Sequence, residues 1–421
     1  MKLNNIRKIK LQDIITDIAA GPFGSNLKVE CFVKDGFPII DGANLKGIKV
    51  TDNITKFVTE EKAQSLYRSI ARRGDVVVTI SGNVGQIAYI PNDSLYEKYL
   101  VSQRQFRVSF NTAEADVPYL VYYFHTQEGQ HKILSFVNQT GVPALAQPLK
   151  NFRNIEIDLP DLGTQKKIAK ILSALDDKIE CNNQINKNLE EQAKKIFKEW
   201  FIDNSENASW KRGNFSDLIT STLSGDWGKD ELSGNNTEKV YCVRGADIPE
   251  VKTGNKGKMP VRYIIPKNLK SKQLEAGDIV VEISGGSPSQ STGRSTVITQ
   301  SLLDRCDSSI VCTNFCKALK PVKEYSMFIY YYFQYLYDKN IFFSYENGTT
   351  GIKNLDLTGF LETESIVIPP KNLIDDFNKF CTSSFNLIFA NGKESENLSN
   401  IRDSLLPKLM SGELDVSDID I

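Results

Sequence analysis

Residues Gln165–Phe201, QKKIAKILSALDDKIECNNQINKNLEEQAKKIFKEWF, decide how the rest of the 421-residue chain is read. Ile168, Leu172, Leu175, Ile179, Leu189, Ile196 and Trp200 fall on alternating spacings of four and three, with Asn182, Asn186 and Ala193 in the slots between them. That is a coiled-coil seam carried over about five heptads, longer than an ordinary globular helix. Neither Gly nor Pro interrupts it, so at about 1.5 Å per residue the stretch predicts a rod on the order of 55 Å long.

Working outward, the flanking sequence repeats itself. IIDGANL (Ile39–Leu45) matches YCVRGADI (Tyr241–Ile248), and RRGDVVVTISG (Arg72–Gly82) matches EAGDIVVEISG (Glu275–Gly285), both at an offset of 203. QTGVPAL (Gln139–Leu145) faces TTGIKNL (Thr349–Leu355), IEIDLP faces SIVIPP, and the rod faces Phe377–Leu409 at an offset of 209. There Ile388, Asn391, Leu398 and Leu405 take the places of Ile179, Asn182, Leu189 and Ile196, while Ser384, Ser395 and Arg402 make the second seam less regular. Blocks in one order at nearly one offset mark a tandem duplication. The expected fold is α+β: two mainly β domains in tandem and two long antiparallel coiled-coil helices, related by a pseudo-twofold internal repeat. The boundaries fall at 1–155, 156–207, 208–368 and 369–421.

Within each half, β-branched runs such as GDVVVTIS and GDIVVEIS are punctuated by Gly, Asn and Pro, as short strands require. Aromatic residues at helical spacing in VPYLVYYFHTQEGQHKILSF and SMFIYYYFQYLY predict helices whose rings form core, although such rings can also stack bases. Asn182 and Asn391 in an otherwise apolar seam are either a register pin or an open, wet part of it.

The composition, 24% charged and 40% hydrophobic, is that of a globular protein of several domains. No signal peptide or bilayer-length apolar run is present, and seven unpatterned Cys suit free thiols, so a cytoplasmic location without membrane contact is expected. The net charge of -1 hides a segregation: residues 1–155 and 208–365 carry +5 and +1, against -3 and -4 for residues 156–207 and 366–421. A polyanion would meet the globular segments.

Catalytic signatures are missing from the sequence: there is no GxxxxGK[ST], HExxH or GxSxG. His125 and His131 have no counterparts in the second half. Cys306, Cys312 and Cys316 lack a fourth ligand, with Cys312 and Cys316 read as facing one way on a strand-like stretch, so no metal site is expected. Asp278 and Glu282 resemble a nuclease pair, but the first half has Asp75 and Thr79 there, and Gly-Asp entering a strand is turn chemistry. The remaining candidates are polar loops: AGPFGSNLKVE (Ala20–Glu30), SGNVGQ (Ser81–Gln86), SGGSPSQSTGR (Ser284–Arg294), SQRQFR (Ser102–Arg107) and CTNF (Cys312–Phe315). Their glycines permit close backbone approach to phosphate, and their amides and guanidiniums suit base edges.

GPFGSNLK, RRGDVVVTISGNVGQIAYIP, QTGVPALAQPLKNFRNIEIDLP, the rod itself and NLSNIRDSLLPKLMSGEL together resemble the specificity subunit of Type I restriction-modification enzymes. The second half departs from the pattern: it lacks a GPFGS-like loop and carries STLSGDWGK (Ser221–Lys229) instead. The resemblance implies two target recognition domains that read the halves of a bipartite double-stranded DNA target. It also implies spacer helices that set the gap and dock two modification subunits, with restriction subunits joining the full complex. Such a subunit is non-catalytic and holds no cofactor. S-adenosylmethionine, ATP and Mg belong to the partners, which carry N6-adenine methylation and ATP-dependent cleavage. On that reading the DNA contacts are Ser25, Asn26, Lys28, Asn83, Gln103, Arg104 and Gln139 in the first domain, and Arg244, Ser287, Gln290, Arg294, Asn314 and Thr349 in the second. The competing expectation is a scaffold whose helices pair partner proteins without reading DNA.

Overall fold

The computed structural model describes residues 6–138, 141–287, 289–348 and 351–420. The chain forms two compact units: one takes the sequence up to Asp177 together with that from Ser399 onward, the other Lys178–Leu398. They repeat one topology. In the first, strands Ile15–Ala20, Gln105–Phe110, Val76–Thr79 and Ile87–Tyr89 lie side by side in that order. The second unit has Ile219–Ser224, Cys316–Pro321, Ile279–Glu282 and Ser295–Val297 in the corresponding order. Val76–Val78 and Ile279–Val281 are buried on both faces, which is why these strands read as unbroken β-branched runs rather than alternating ones. Asp75 and Asp278 each accept the backbone N–H three residues earlier, from Arg72 and Glu275 at 2.8 Å, closing the turn into the strand.

A second sheet in each unit contains one parallel pair. Ile39 lies opposite Leu100 in the first and Tyr241 opposite Ile310 in the second. The aromatic helices Val117–His125 and Ser326–Asp338 are core: Tyr119, Tyr122 and Phe124, and Phe328, Tyr330, Tyr331 and Phe333, are fully enclosed. Burial of each ring contributes on the order of 2 kcal/mol, and none of them is available to a nucleic acid.

The two long helices are Leu162–Phe197 and Lys371–Ser411. Within the first unit Ile168, Ala169 and Leu172 share a core with Leu409 and Val416; within the second Ala193, Phe197 and Phe201 share one with Phe377, Cys381, Phe385 and Phe389. In both units the helix segments run antiparallel. Of the seam positions, Leu172 and Ile388 are buried, while Leu175, Ile179, Leu189, Leu398 and Leu405 are half-buried. The seam drifts toward its end. Phe197 and Phe201 take the enclosed positions that the heptad spacing assigned to Ile196 and Trp200, because a helix of 3.6 residues per turn precesses against a 3.5-residue repeat. A π turn at Lys198–Ile202, with the Asp203 N–H donating to the Lys198 carbonyl at 2.8 Å, keeps the Phe197 and Phe201 rings 5.4 Å apart.

The amides of the seam's polar layer are buried. Asn182 and Asn391 are buried, and the Asn391 amide donates to Asn186 Oδ1 at 2.8 Å. Asn182 reaches Asn391 through the backbone carbonyl at 3.5 Å and Glu394 at 2.7 Å. The side-chain partner of Asn391 is thus Asn186. These contacts fix the helix register, since sliding either segment by a turn would strand several amides.

Each unit also ties its aromatic helix to the first long helix through an acid. Tyr122 donates to Asp176 at 2.5 Å, and Asp176 also pairs with Arg402 at 2.5 Å. The equivalent Tyr331 donates to Glu190 at 3.5 Å, and the nearest cation, Lys252, lies 3.9 Å away. One Glu190 oxygen is enclosed without a hydrogen-bond donor, and burial pushes that carboxyl above its ordinary range.

Candidate nucleic-acid interface

Both units present a four-residue turn between a strand of one sheet and a strand of the other. In the first, Ser102–Gln105 is closed by the Gln105 N–H on the Ser102 carbonyl at 3.1 Å; in the second, Thr313–Cys316 is closed by Cys316 on Thr313 at 2.9 Å. The third residue of each turn is anchored by its carbonyl, Arg104 accepting from the Ile80 N–H at 2.7 Å and Phe315 from the Ile283 N–H at 2.9 Å. A glycine backs each turn, and nothing larger fits. A Cβ on Gly21 would sit 1.9 Å from the Ser102 carbonyl oxygen, and one on Gly225 would sit 1.8 Å from that of Thr313. The backbones are thus equivalent, with Gln103 and Arg104 exposed at one tip and Asn314 and Phe315 at the other.

Each tip overhangs a cleft. The first, of about 530 Å³, is lined by Asp41, Gly42, Ala43, Ser81, Asn83 and the turn. Its floor is a neutral chain: Thr79 donates to Gln86 at 3.1 Å, Gln86 donates to the Gly42 carbonyl at 3.1 Å, and the buried Gln105 reaches Thr79 at 3.5 Å. The second, of about 400 Å³, is lined by Trp227, Arg244, Gly245, Ala246, Ser284 and its turn. At its floor, Arg294 grips the buried Glu282 with two hydrogen bonds of 2.7 and 2.6 Å.

The expected contact residues divide accordingly. Gln103, Arg104 and Asn83 meet at the first cleft, and among the described residues no acidic group pairs with Arg104. Ser25 and Asn26 are exposed on the short turn Gly24–Asn26, whose Gly24 abuts the Gln103 side chain, and Lys28 is exposed just beyond it. In the second unit Arg244 and Asn314 line the cleft. Arg244 is braced by Asp247 through Nε and Nη2 at 2.9 and 3.0 Å, which keeps it firmly charged and leaves Nη1 for an outside acceptor. Arg294 is held by Glu282, so its charge is compensated within the protein. Ser287 and Gln290 form the neck of a neighbouring loop, the Ser287 N–H donating to the Gln290 carbonyl at 2.7 Å. Gln139 and Thr349 lie outside the described residues.

Two features escape a reading by loops. Gly225 stands where Gly21 stands, so GDWG (Gly225–Gly228) is the counterpart of GPFG (Gly21–Gly24) and Trp227 that of Phe23. Matching glycine-x-aromatic-glycine across the repeat would have found it. Phe23 is 83% exposed and Phe315 58%, while Trp227 stacks on the Arg262 guanidinium at 4.2 Å. Cys312 and Cys316 do not share a strand: one ends Ser309–Cys312 and the other begins Cys316–Pro321, across the tight turn. Burial pushes the thiols of Cys242, Cys312 and Cys316 up to about 12, so they are small apolar groups at neutral pH.

The fold is that of a type I restriction-modification specificity subunit. It superposes on the crystal structure of the S subunit of the M. genitalium system with a TM-score of 0.58 at 16% identity, over 97% of this chain and 98% of that one. In sequence, residues 28–191 match the family described as the Type I restriction modification DNA specificity domain. The chain is 25% identical to the MjaIX specificity subunit of Methanocaldococcus jannaschii, over 99% of its length and 94% of the relative's. It is 23% identical to the HindI specificity subunit of Haemophilus influenzae, over 82% and 87%. Residues 28–191 thus match a Type I restriction modification DNA specificity domain, and the chain is similar to type I specificity subunits over nearly its whole length.

Proposed function

We propose that the protein reads a bipartite double-stranded DNA sequence, one half-site per unit, and is the non-catalytic subunit that directs two modification subunits to it. Restriction subunits join in the full complex, and S-adenosylmethionine, ATP and Mg are handled by those partners in the cytoplasm. The observation that carries this reading is the pair of equivalent clefts, built on one backbone but tipped with different side chains. Two readers of different sequences need that arrangement. Ser25, Asn26 and Lys28 supply phosphate or groove contacts beside Asn83, Gln103 and Arg104; Arg244, Ser287, Gln290 and Asn314 do so in the second unit, with Arg294 bracing Glu282.

Net charge favours weak binding by the chain alone, because residues 1–155 and 208–365 carry only +5 and +1. Tight binding then requires the partner subunits. Among the described residues no helix is long and apolar enough to cross a membrane. The test is to express the chain with its modification subunit and map adenine methylation by single-molecule sequencing. Two short half-sites with a fixed gap are expected, and one heptad inserted into both long helices should alter the tolerated gap. Methylation at one continuous site would sink the reading.

A further inference from the structure

We infer that the turn Thr313–Cys316 is the base-reading element of the second unit, and that Phe315 reads the 5-methyl group of a thymine. This rests on the function proposed above and adds to it the chemistry of one base. Phe315 takes the place of Arg104 on an equivalent backbone. The same turn closure, the same carbonyl anchor on the adjoining strand and the same close glycine hold both residues. A further bond, from the Phe315 N–H to Thr313 Oγ1 at 3.0 Å, stiffens the second tip.

A phenyl ring 58% exposed at a turn tip adds little to the fold, since it belongs to no core cluster among the described residues. Trp227, Gly245 and Ala246 give the cleft beneath it an apolar side, beside the polar Arg244, Glu282 and Ser284. The ring accepts no conventional hydrogen bond and donates none. On the edges of base pairs in the major groove the one apolar feature is the thymine methyl, whereas a guanidinium in the same place is suited to guanine. Asn314 beside it carries an amide suited to adenine, so the Asn-Phe tip matches A·T-containing sequence and the Gln-Arg tip matches guanine-containing sequence.

The experiment uses the assembled methyltransferase and the half-sites defined by its methylome. Arg104→Ala identifies the first half-site as the one whose base preference relaxes. Each thymine of the other half-site, on either strand, is then replaced by deoxyuridine, which removes only the methyl group, and methyl transfer is measured for wild type and Phe315→Ala. One substitution should slow wild type roughly fivefold, as expected for one buried methyl, and leave Phe315→Ala unaffected. Retained discrimination by Phe315→Ala at the other base pairs of the second half-site shows that the variant's second unit is folded. A second half-site without an A·T pair overturns the inference, as does a methyl loss felt equally by both proteins or by neither, the last being the behaviour of a ring wedged between base steps. A wild-type methylome without paired half-sites overturns instead the function on which the inference rests.

Discussion

Three equivalent positions sit at the floors of the two clefts: Thr79, Gln86 and Gln105 line the first, and Glu282 lines the second with Arg294 and Cys316 beside it. The first set is a neutral hydrogen-bonded chain and the second an ion pair beside a thiol. The walls above them keep the same backbone hydrogen bonds, because main-chain groups pair without regard to side chain. The comparison teaches where a duplicated reader can diverge: side chains at the tip and floor change freely, provided each buried polar group keeps a partner.

The largest effect expected from disturbing this pairing is at the ion pair. Arg294→Ala leaves Glu282, whose side chain is 8% exposed, without its guanidinium, and should destabilise the second unit by about 3 kcal/mol. Thr79→Ala at the equivalent floor should cost about 1 kcal/mol. Urea unfolding followed by hydrogen exchange in each unit measures both, and equal losses would show that the floors do not differ in kind. Next come the glycines: Gly21→Ala and Gly225→Ala meet the same obstacle, so each should cost about 2 kcal/mol, and a clear inequality would break the equivalence of the two turns.

A smaller, pH-dependent contrast separates the acids beneath the aromatic helices. Folded Glu190 holds its proton to higher pH than the unfolded chain does, so its stability contribution is complete below the ordinary carboxylate range and is lost as pH rises through the raised folded value. Glu190→Gln should therefore match wild type at low pH and unfold at a higher temperature at neutral pH. Asp176→Asn, which weakens bonds to Tyr122 and Arg402, should instead lower neutral-pH stability by about 1 kcal/mol. Thermal unfolding across the pH range distinguishes the two signs. Least of all, Gln103→Ala and Asn314→Ala should leave stability within about 0.5 kcal/mol, while each relaxes base preference in its own half-site on the methylation map.

Much of this architecture is legible in the residues. The repeat, both long helices and the strand runs follow from periodicity and turn chemistry, which act over a few residues. The seam was legible in outline only: whether Ile196 or Phe197 faces inward depends on accumulated helix precession and on a π turn, which a heptad count does not contain. The loops were legible as polar, but Arg294 looks as free as Arg104 until Glu282 is found beneath it. Phe315 gives no such signal, because an exposed aromatic residue cannot be told from a buried one by its neighbours in sequence.

By itself the sequence determined that the chain is two copies of a β domain and a long helix. Tertiary structure decided which side chains meet, Asn391 with Asn186 and Arg294 with Glu282, and that Phe315 takes in the second turn the place Arg104 takes in the first. The physical reason is range. Backbone propensity and hydrophobic period are local, whereas the partner of a buried polar group is set by strand pairing and helix register across tens to hundreds of residues.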